Sequence, residues 1–146
     1  MPKFPSIEWF QAVNRRAAED KEKFKLLGYV DADVGVKIDD NGTGAHAYVL
    51  KFRDYGVESV EEAEDLQKAD FSVEGSLEAW TEMVRNIQQN GEADLDHTLN
   101  RLTMAGVPLK LRAPDQLQAD IFYRFNQSFQ AYFNEAAVVP TEFAAS

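Results

Sequence analysis

The stretch that decides the fold runs from Ala69 to Leu111. It begins Ala69-Asp-Phe-Ser-Val-Glu-Gly-Ser-Leu-Glu-Ala-Trp-Thr-Glu-Met-Val84 and, after a polar break, continues Asp94-Leu-Asp-His-Thr-Leu-Asn-Arg-Leu-Thr-Met-Ala-Gly-Val-Pro-Leu-Lys-Leu111. Phe71 and Val73 alternate with Asp70, Ser72 and Glu74, the period of a half-buried strand. Gly75-Ser76 breaks that strand. Ser76 is a good helix N-cap, and Glu78 falls in the first turn, where the helix dipole favours an acid. Leu77, Trp80, Met83, Val84 and Ile87 recur at three- and four-residue spacing and share one helix face. Asn90-Gly91 ends the helix. Asp94 then caps a second helix with Leu95, Leu99, Leu102 and Ala105 on one side. Gly106 stops it, and Val107, Leu109 and Leu111 alternate in a closing strand. Pro108, with no N–H to donate, belongs at an edge or a strand start. The stretch therefore predicts strand, helix, helix, strand.

Working outward, Ser6 and Glu8 open an N-terminal helix whose apolar side is Trp9, Phe10, Val13 and Ala17. The mixed charges of Glu19-Asp-Lys-Glu-Lys23 read as its solvated face, and the segment 1–25 reads as one helix. Val30, Ala32, Val34, Val36 and Ile38 alternate in a strand. Asn41-Gly42, inside the turn cluster Asp39–Gly44, is a hairpin signal. Ala45 to Arg53 forms the next strand, with Tyr48, Leu50 and Phe52 on one side. Its other face is also fairly apolar, which predicts a central position. Asp54-Tyr55-Gly56 turns again, and Val57 to Val60 is a short third strand. Glu61, Glu62, Glu64 and Asp65 form an acidic patch before the strand at Asp70. The strands predict a meander of about five. Asp115 caps a final helix with Leu117, Ile121, Phe125, Phe129 and Phe133 on one face, widened by Phe122, Tyr123 and Tyr132. The tail 138–146, with Val138, Val139 and Phe143 around Pro140, reads as loosely ordered or packed onto a neighbour. The fold class expected is α+β: a mainly antiparallel sheet of about five strands with helices packed over one face.

Composition narrows the function. The chain has 146 residues, one domain's worth, with a net charge of −10 and no cysteine. The negative charge argues against nucleic acid and against an anionic membrane surface as partners. The lack of cysteine removes disulfides, thiol nucleophiles and thiolate metal sites. No stretch has the length and apolarity of a transmembrane helix. The N-terminal Met-Pro-Lys-Phe-Pro-Ser carries no signal-peptide core, and the final Ala-Ala-Ser is not a peroxisomal Ser-Lys-Leu, so a cytoplasmic location is expected.

Ala69-Asp70-Phe71, Gly75-Ser76, Trp80, the Asp94–Leu102 helix and the Gly106-Val-Pro-Leu-Lys-Leu strand together resemble the sterol carrier protein type-2 (sterol-transfer) family. The resemblance extends over roughly Leu26 to Ala137. It departs from the family's usual Gly-Lys-x-x-x-x-Gly-Asp close, which here reads Gly106-Val-Pro-Leu-Lys-Leu-Arg-Ala-Pro-Asp115. It implies a hydrophobic tunnel between sheet and helices, near the C-terminal helix. It also implies an apolar ligand: a fatty acyl chain, an acyl-CoA or a sterol-like lipid.

The candidate ligand-binding residues are Trp80, Met83, Val84, Ile87, Leu99, Leu102, Met104, Phe122, Phe125, Phe129 and Phe133. The plainer reading of the same residues is a filled core, since aromatic side chains dominate core burial in any case. Met83 and Met104 suit a cavity that accepts several shapes, and equally an ordinary core. His46 and His97, the two histidines, have no convergent partners at a catalytic or metal-binding spacing. Asp31, Asp33, Asp39, Asp40 and Asn41 fail the calcium-loop pattern, having no Glu at the twelfth position. Gly42-Thr-Gly44 is too short for a phosphate loop. The sequence therefore predicts a non-enzymatic binding domain with no cofactor, metal or catalytic residue. A homodimerising interaction module with a filled core is the alternative.

Overall fold

The alternating segments fold as predicted, and the computed structural model describes residues 1–39, 45–54, 56–106 and 108–143. A two-residue strand β1 (Lys3–Phe4) precedes helix α1 (Ile7–Glu19). Ser6 caps α1, accepting the Trp9 N–H at 3.1 Å, and the helix buries Trp9, Phe10, Val13 and Ala17. The single N-terminal helix expected over 1–25 is two helices. Asp20 leaves helical geometry (φ −111°, ψ 37°), and α2 (Lys21–Leu27) starts after it and buries Phe24. Gly28, at φ 110°, ends α2 in a conformation that side chains rarely adopt.

Strands β2 (Ala32–Asp39), β3 (Ala45–Arg53) and β4 (Gly56–Glu62) form an antiparallel meander. The Asn41-Gly42 turn that would join the first two lies outside the described residues, but Asp39 and Ala45 on either side of it are in register. β4 runs two residues further than predicted, so Glu61 and Glu62 of the acidic patch belong to a strand. Lys51 pairs with Glu61 at 3.5 Å across the sheet.

The meander does not continue. β5 (Phe71–Ser76) returns to the far side of β2 and pairs with it in parallel, and β6 (Leu109–Arg112) adds antiparallel to β5. Among the described residues the order is β4-β3-β2-β5-β6, and three of the four pairings are antiparallel. The return connection crosses the face away from the helices, where Leu66 covers Gly35. A Cβ on Gly35 would meet Leu66 at 3.0 Å and Ser72 at 2.9 Å. Asp70 fastens the crossing: its carboxylate accepts the Asp33 N–H at 2.7 Å, and its own N–H donates to the Asp33 carbonyl at 2.8 Å.

Helix α3 (Leu77–Asn90) follows β5 without a loop. Ser76 caps it and Gly91 closes it in the left-handed region. Its buried face is the predicted Leu77, Trp80, Met83, Val84 and Ile87. Gly75, read as a break, stays in the strand, and the reason for glycine there is close packing. A Cβ would lie 2.3 Å from Leu109 and 3.5 Å from the Trp80 indole nitrogen. Beside it, Trp80 Nε1 donates to the Lys37 carbonyl at 3.0 Å.

The second helix is shorter than its pattern. The Asp94 carboxylate is engaged in a turn, accepting the Asp96 N–H at 3.0 Å and facing His97 Nδ1 at 2.6 Å. Helix α4 (Leu99–Thr103) therefore begins under Thr98 instead, and Leu95 stays exposed.

Helix α5 (Gln116–Asn134) starts at Asp115 as predicted, but it is kinked at Phe125 (φ −116°, ψ 19°). The kink shifts the phase of the expected i, i+4 stripe. Leu117 is 72% exposed, whereas Phe122, Phe129, Tyr132 and Phe133 are buried. The described part of the tail, up to Phe143, packs onto the rest of the chain. A 3-10 turn (Glu135–Val138) leads to β7 (Glu142–Phe143), which pairs in parallel with β1. Trp9 Nε1 and Gln88 Nε2 each donate to Thr141 Oγ1 at 3.0 Å.

Candidate functional site

The inward face of the sheet and the apolar faces of α3, α4 and α5 meet over one point. Val34 and Val36 of β2, Leu50 and Phe52 of β3, and Phe71 and Val73 of β5 form a floor. Trp80, Leu99, Phe122, Phe129 and Phe133 form the roof. The void between them is about 10 Å³, and every side chain lining it is apolar. That is close to the smallest space one water can occupy, and apolar walls leave a water no partners.

The roof is an aromatic lattice. Phe129 lies 5.0 Å from Phe52 and 5.4 Å from Phe71, ring centre to ring centre. Phe122 lies 5.7 Å from Phe71, and Trp80 lies 5.6 Å from Phe133. These are separations at which tilted and edge-on aromatic pairs attract beyond their area burial.

Five of the predicted residues, Trp80, Leu99, Phe122, Phe129 and Phe133, converge on the void. Met83, Val84 and Ile87 are fully buried on α3 and Leu102 is buried on α4, one layer away from it. Phe125 is half-buried at the kink. Met104 is 65% exposed at the end of α4 and forms no part of the wall. The sheet residues of the floor were absent from the candidates. Their signal was present, since they are the inward half of each strand's alternation, but a period of two says which residues are inside and not which of them border a void.

Polar groups fasten the rim. Gln130 Oε1 accepts the Leu99 N–H at 2.6 Å, so α5 itself holds the first turn of α4. Asn134 Oδ1 accepts the Ala93 N–H at 3.1 Å and Gln130 Nε2 at 3.0 Å. Tyr132 Oη donates to Asn14 Oδ1 at 2.6 Å, tying α5 to α1. Burial pushes the Tyr132 hydroxyl well above its ordinary range. Burial first, then Glu62 and Glu8, pushes Tyr48 up to about 12. Both phenols therefore stay neutral near pH 7. The Glu135 carboxyl is raised by burial and by its hydrogen bond with Asp20, against the pull of Lys23 at 3.4 Å.

The histidines lie elsewhere. His46 is on the exposed surface of β3, and His97 faces Asp94 with Glu82 at 3.7 Å. Among the described residues no three His, Cys, Asp or Glu side chains are grouped to hold a metal ion. No helix among them is long and apolar enough to cross a membrane.

The fold as a whole is similar to that of solved structures. A crystal structure of sterol carrier protein 2 superposes with a TM-score of 0.74 at 17% identity, over 94% of this chain and all of that one. The fold is that of sterol carrier protein 2. A conserved hypothetical protein from Thermus thermophilus, solved in solution, matches over 96% of this chain and 94% of its own, with a TM-score of 0.65 and 17% identity. The apo form of sterol carrier protein 2 from Yarrowia lipolytica matches over 88% and 89%, with a TM-score of 0.51 and 16% identity. No family model matches the sequence, and no curated protein matches it. At 16–17% identity, the likeness to sterol carrier protein 2 is one of fold.

Proposed function

We propose that this domain binds the apolar part of a lipid-class molecule, a fatty acyl chain, an acyl-CoA or a sterol-like compound, between the sheet and α5, and passes it on without catalysing a reaction. The observation that carries the reading is the wholly apolar void under a kinked helix. The sterol carrier protein 2 fold supports it.

A void of about 10 Å³ is a closed state. Pockets for small ligands run to roughly 300–1,000 Å³, so binding requires part of the roof to move. The moving part is the first half of α5, whose one fully buried ring is Phe122. A dozen methylenes gain roughly 10 kcal/mol on burial before binding costs, whereas exposing one aromatic ring costs about 3 kcal/mol. The gain from the methylenes thus exceeds the cost of the ring, leaving about 7 kcal/mol to set against the cost of association. The ligand would then lie against Trp80, Leu99, Phe129 and Phe133, with Phe125 at the hinge. Met83, Val84, Ile87 and Leu102 form the layer behind. The mouth would be gated by the C-terminal helix and the tail, whose Thr141 is bonded to Trp9 and Gln88.

Native mass spectrometry of gently purified protein, with solvent extraction of anything released, tests this directly. A co-purifying acyl or sterol-like mass near one per chain is the expected result. A bare chain that takes up no fatty acid, acyl-CoA or sterol sinks the proposal. The small size of the void also favours a second reading, a filled core serving a non-catalytic dimerisation module. In that case the bare chain would show a concentration-dependent mass in sedimentation.

A further inference from the structure

Among the described residues two side-chain atoms are shut away from solvent with no hydrogen-bond partner, Thr81 Oγ1 on α3 and Gln118 Oε1 on α5. The threonine hydroxyl has a recourse inside its own helix, because it can turn toward the carbonyls of the preceding turn. The glutamine oxygen can only accept, and a buried acceptor left unmet keeps the full cost of its lost hydration.

Asp115 and Gln118 have the spacing of a capping box, in which each residue takes the backbone N–H of the other. Here one half is made: Asp115 accepts the Gln118 N–H at 2.9 Å. The Gln118 oxygen accepts nothing in return. Gln118 lies four residues before Phe122, so it shares that face of α5 and stands one turn further out. Phe122 is part of the roof over the apolar void, and both residues belong to the half of α5 that the proposed gating requires to move. Every side chain lining the closed void is apolar, so its wall has little with which to fix the way round a ligand lies. Apolar pockets take orientation from a few placed polar groups, and Gln118 offers an unengaged one.

We infer that Gln118 receives the polar end of the ligand: its oxygen accepts a hydrogen bond from a hydroxyl or an amide N–H, and the apolar part runs inward past Phe122 toward Phe129 and Phe133. The inference rests on the proposed lipid binding and narrows its class. The fitting ligand is a neutral lipid with a donor at its head, a sterol-like or fatty alcohol or an acyl amide. An ionised fatty acid has acceptors and no donor, so it would leave the Gln118 oxygen unmet.

The test is titration of the full chain with probes of one chain length, namely dodecanol, dodecanamide, dodecyl methyl ether and dodecanoate. Binding is followed by tryptophan fluorescence and by native mass spectrometry. In the wild type dodecanol, dodecanamide or both should bind at least about tenfold more tightly than the ether, the lower end of what meeting a buried acceptor contributes. Which of the two is tighter tells a hydroxyl head from an amide head. Gln118→Leu keeps the bulk and removes the acceptor. It should abolish the preference and leave the ether bound as well as before. The thermal midpoint of the empty variant should equal or exceed that of the wild type, because an unmet acceptor is gone. Gln118→Met makes the same change with an unbranched chain and replaces the leucine variant if that one does not fold.

Equal affinity for all the probes, tightest binding of dodecanoate, or a preference that survives Gln118→Leu overturns the inference and leaves lipid binding standing. So does a lower thermal midpoint with the preference unchanged, which makes Gln118 a helix cap and nothing more. If none of the probes binds, the lipid reading itself is lost and the role of Gln118 goes with it.

Discussion

The two halves of α5, on either side of Phe125, are held by different means. The second half buries Phe129, Tyr132 and Phe133, and even Ser128. Its polar side chains reach other elements: Tyr132 to Asn14 of α1, Gln130 to the start of α4, and Asn134 to Ala93 in the α3–α4 connection. The first half buries one ring, Phe122. Its side-chain hydrogen bonds among the described residues stay local, Asp115 accepting the Gln118 N–H and Gln116 donating to Asp120. Local opening draws on segments with few buried contacts and few long-range bonds. One helix thus joins a clamped half to a flap, the half that the proposed gating requires to move, and the kink is where they part.

The strongest test truncates one ring on each side. Phe133→Ala should lower unfolding stability by about 3–5 kcal/mol, the usual loss for a buried aromatic in a packed core. Phe122→Ala should cost less, about 2–3 kcal/mol, because detachment of the flap limits what its loss can do. Urea denaturation measures both, and hydrogen exchange of the Gln116–Arg124 amides should be faster than that of Ser128–Asn134 in the wild type. If Phe122→Ala is the more damaging, or if the two halves exchange alike, α5 is one rigid body and the gate is wrong.

A smaller effect separates the polar anchors. Tyr132→Phe removes the bond to Asn14 while leaving the ring in place, and should cost about 1–2 kcal/mol by orphaning a part-buried acceptor. Tyr123→Phe, in the exposed half, should stay within about 0.5 kcal/mol of the wild type. Equal losses would mean that the second half owes its hold to ring packing alone.

Much of this was legible in the sequence, and what was not has identifiable causes. The buried faces of α1 and α3 emerge residue for residue, because Ser6, Ser76 and Gly91 punctuate them and the 3.6-residue period runs unbroken between. The parallel pairing of β5 with β2 leaves no trace in alternation, since period two is the same in either orientation. It is visible only afterwards, in Gly35 giving room to Leu66 and in Asp70 bonding across to Asp33. The stripe on α5 misled because it assumed an unbroken helix. With Phe125 out of helical geometry, Leu117 turns outward while Phe122 turns in. Of the site, the five roof residues on α3, α4 and α5 are all legible as apolar helix-face positions. The floor was hidden because all six of its residues look like ordinary strand core.

The smallest effect concerns the turn that the clamp holds. Asn134 and Gln130 grip the chain at Ala93 and Leu99, and between those points Asp94 faces His97 at 2.6 Å. The Asp94 hydrogen bond, followed by the charges of Asp94 and Glu82, raises the His97 pKa above its ordinary value despite partial burial. The same bond to His97, then one to Asn86, lowers the Asp94 pKa. A histidine raised in the folded state adds stability that is complete below its unfolded pKa, about 6.5, and disappears as pH rises through the folded value. An aspartate lowered in the folded state adds stability that is present above about pH 4 and disappears as pH falls. The pair is therefore at its best between those limits. For a partly exposed ion pair, raising the pH from about 6 to about 8 should lower the thermal midpoint by about 1–3 °C. Asp94→Asn should abolish that pH dependence and return the His97 imidazole, followed by NMR titration, toward its ordinary range. Because the second half of α5 grips this turn at both ends, the pH rise should also speed exchange of the Leu99–Thr103 amides while leaving Gln116–Arg124 unchanged. If the flap responds instead, the turn is coupled to the movable half and the division at Phe125 is drawn in the wrong place.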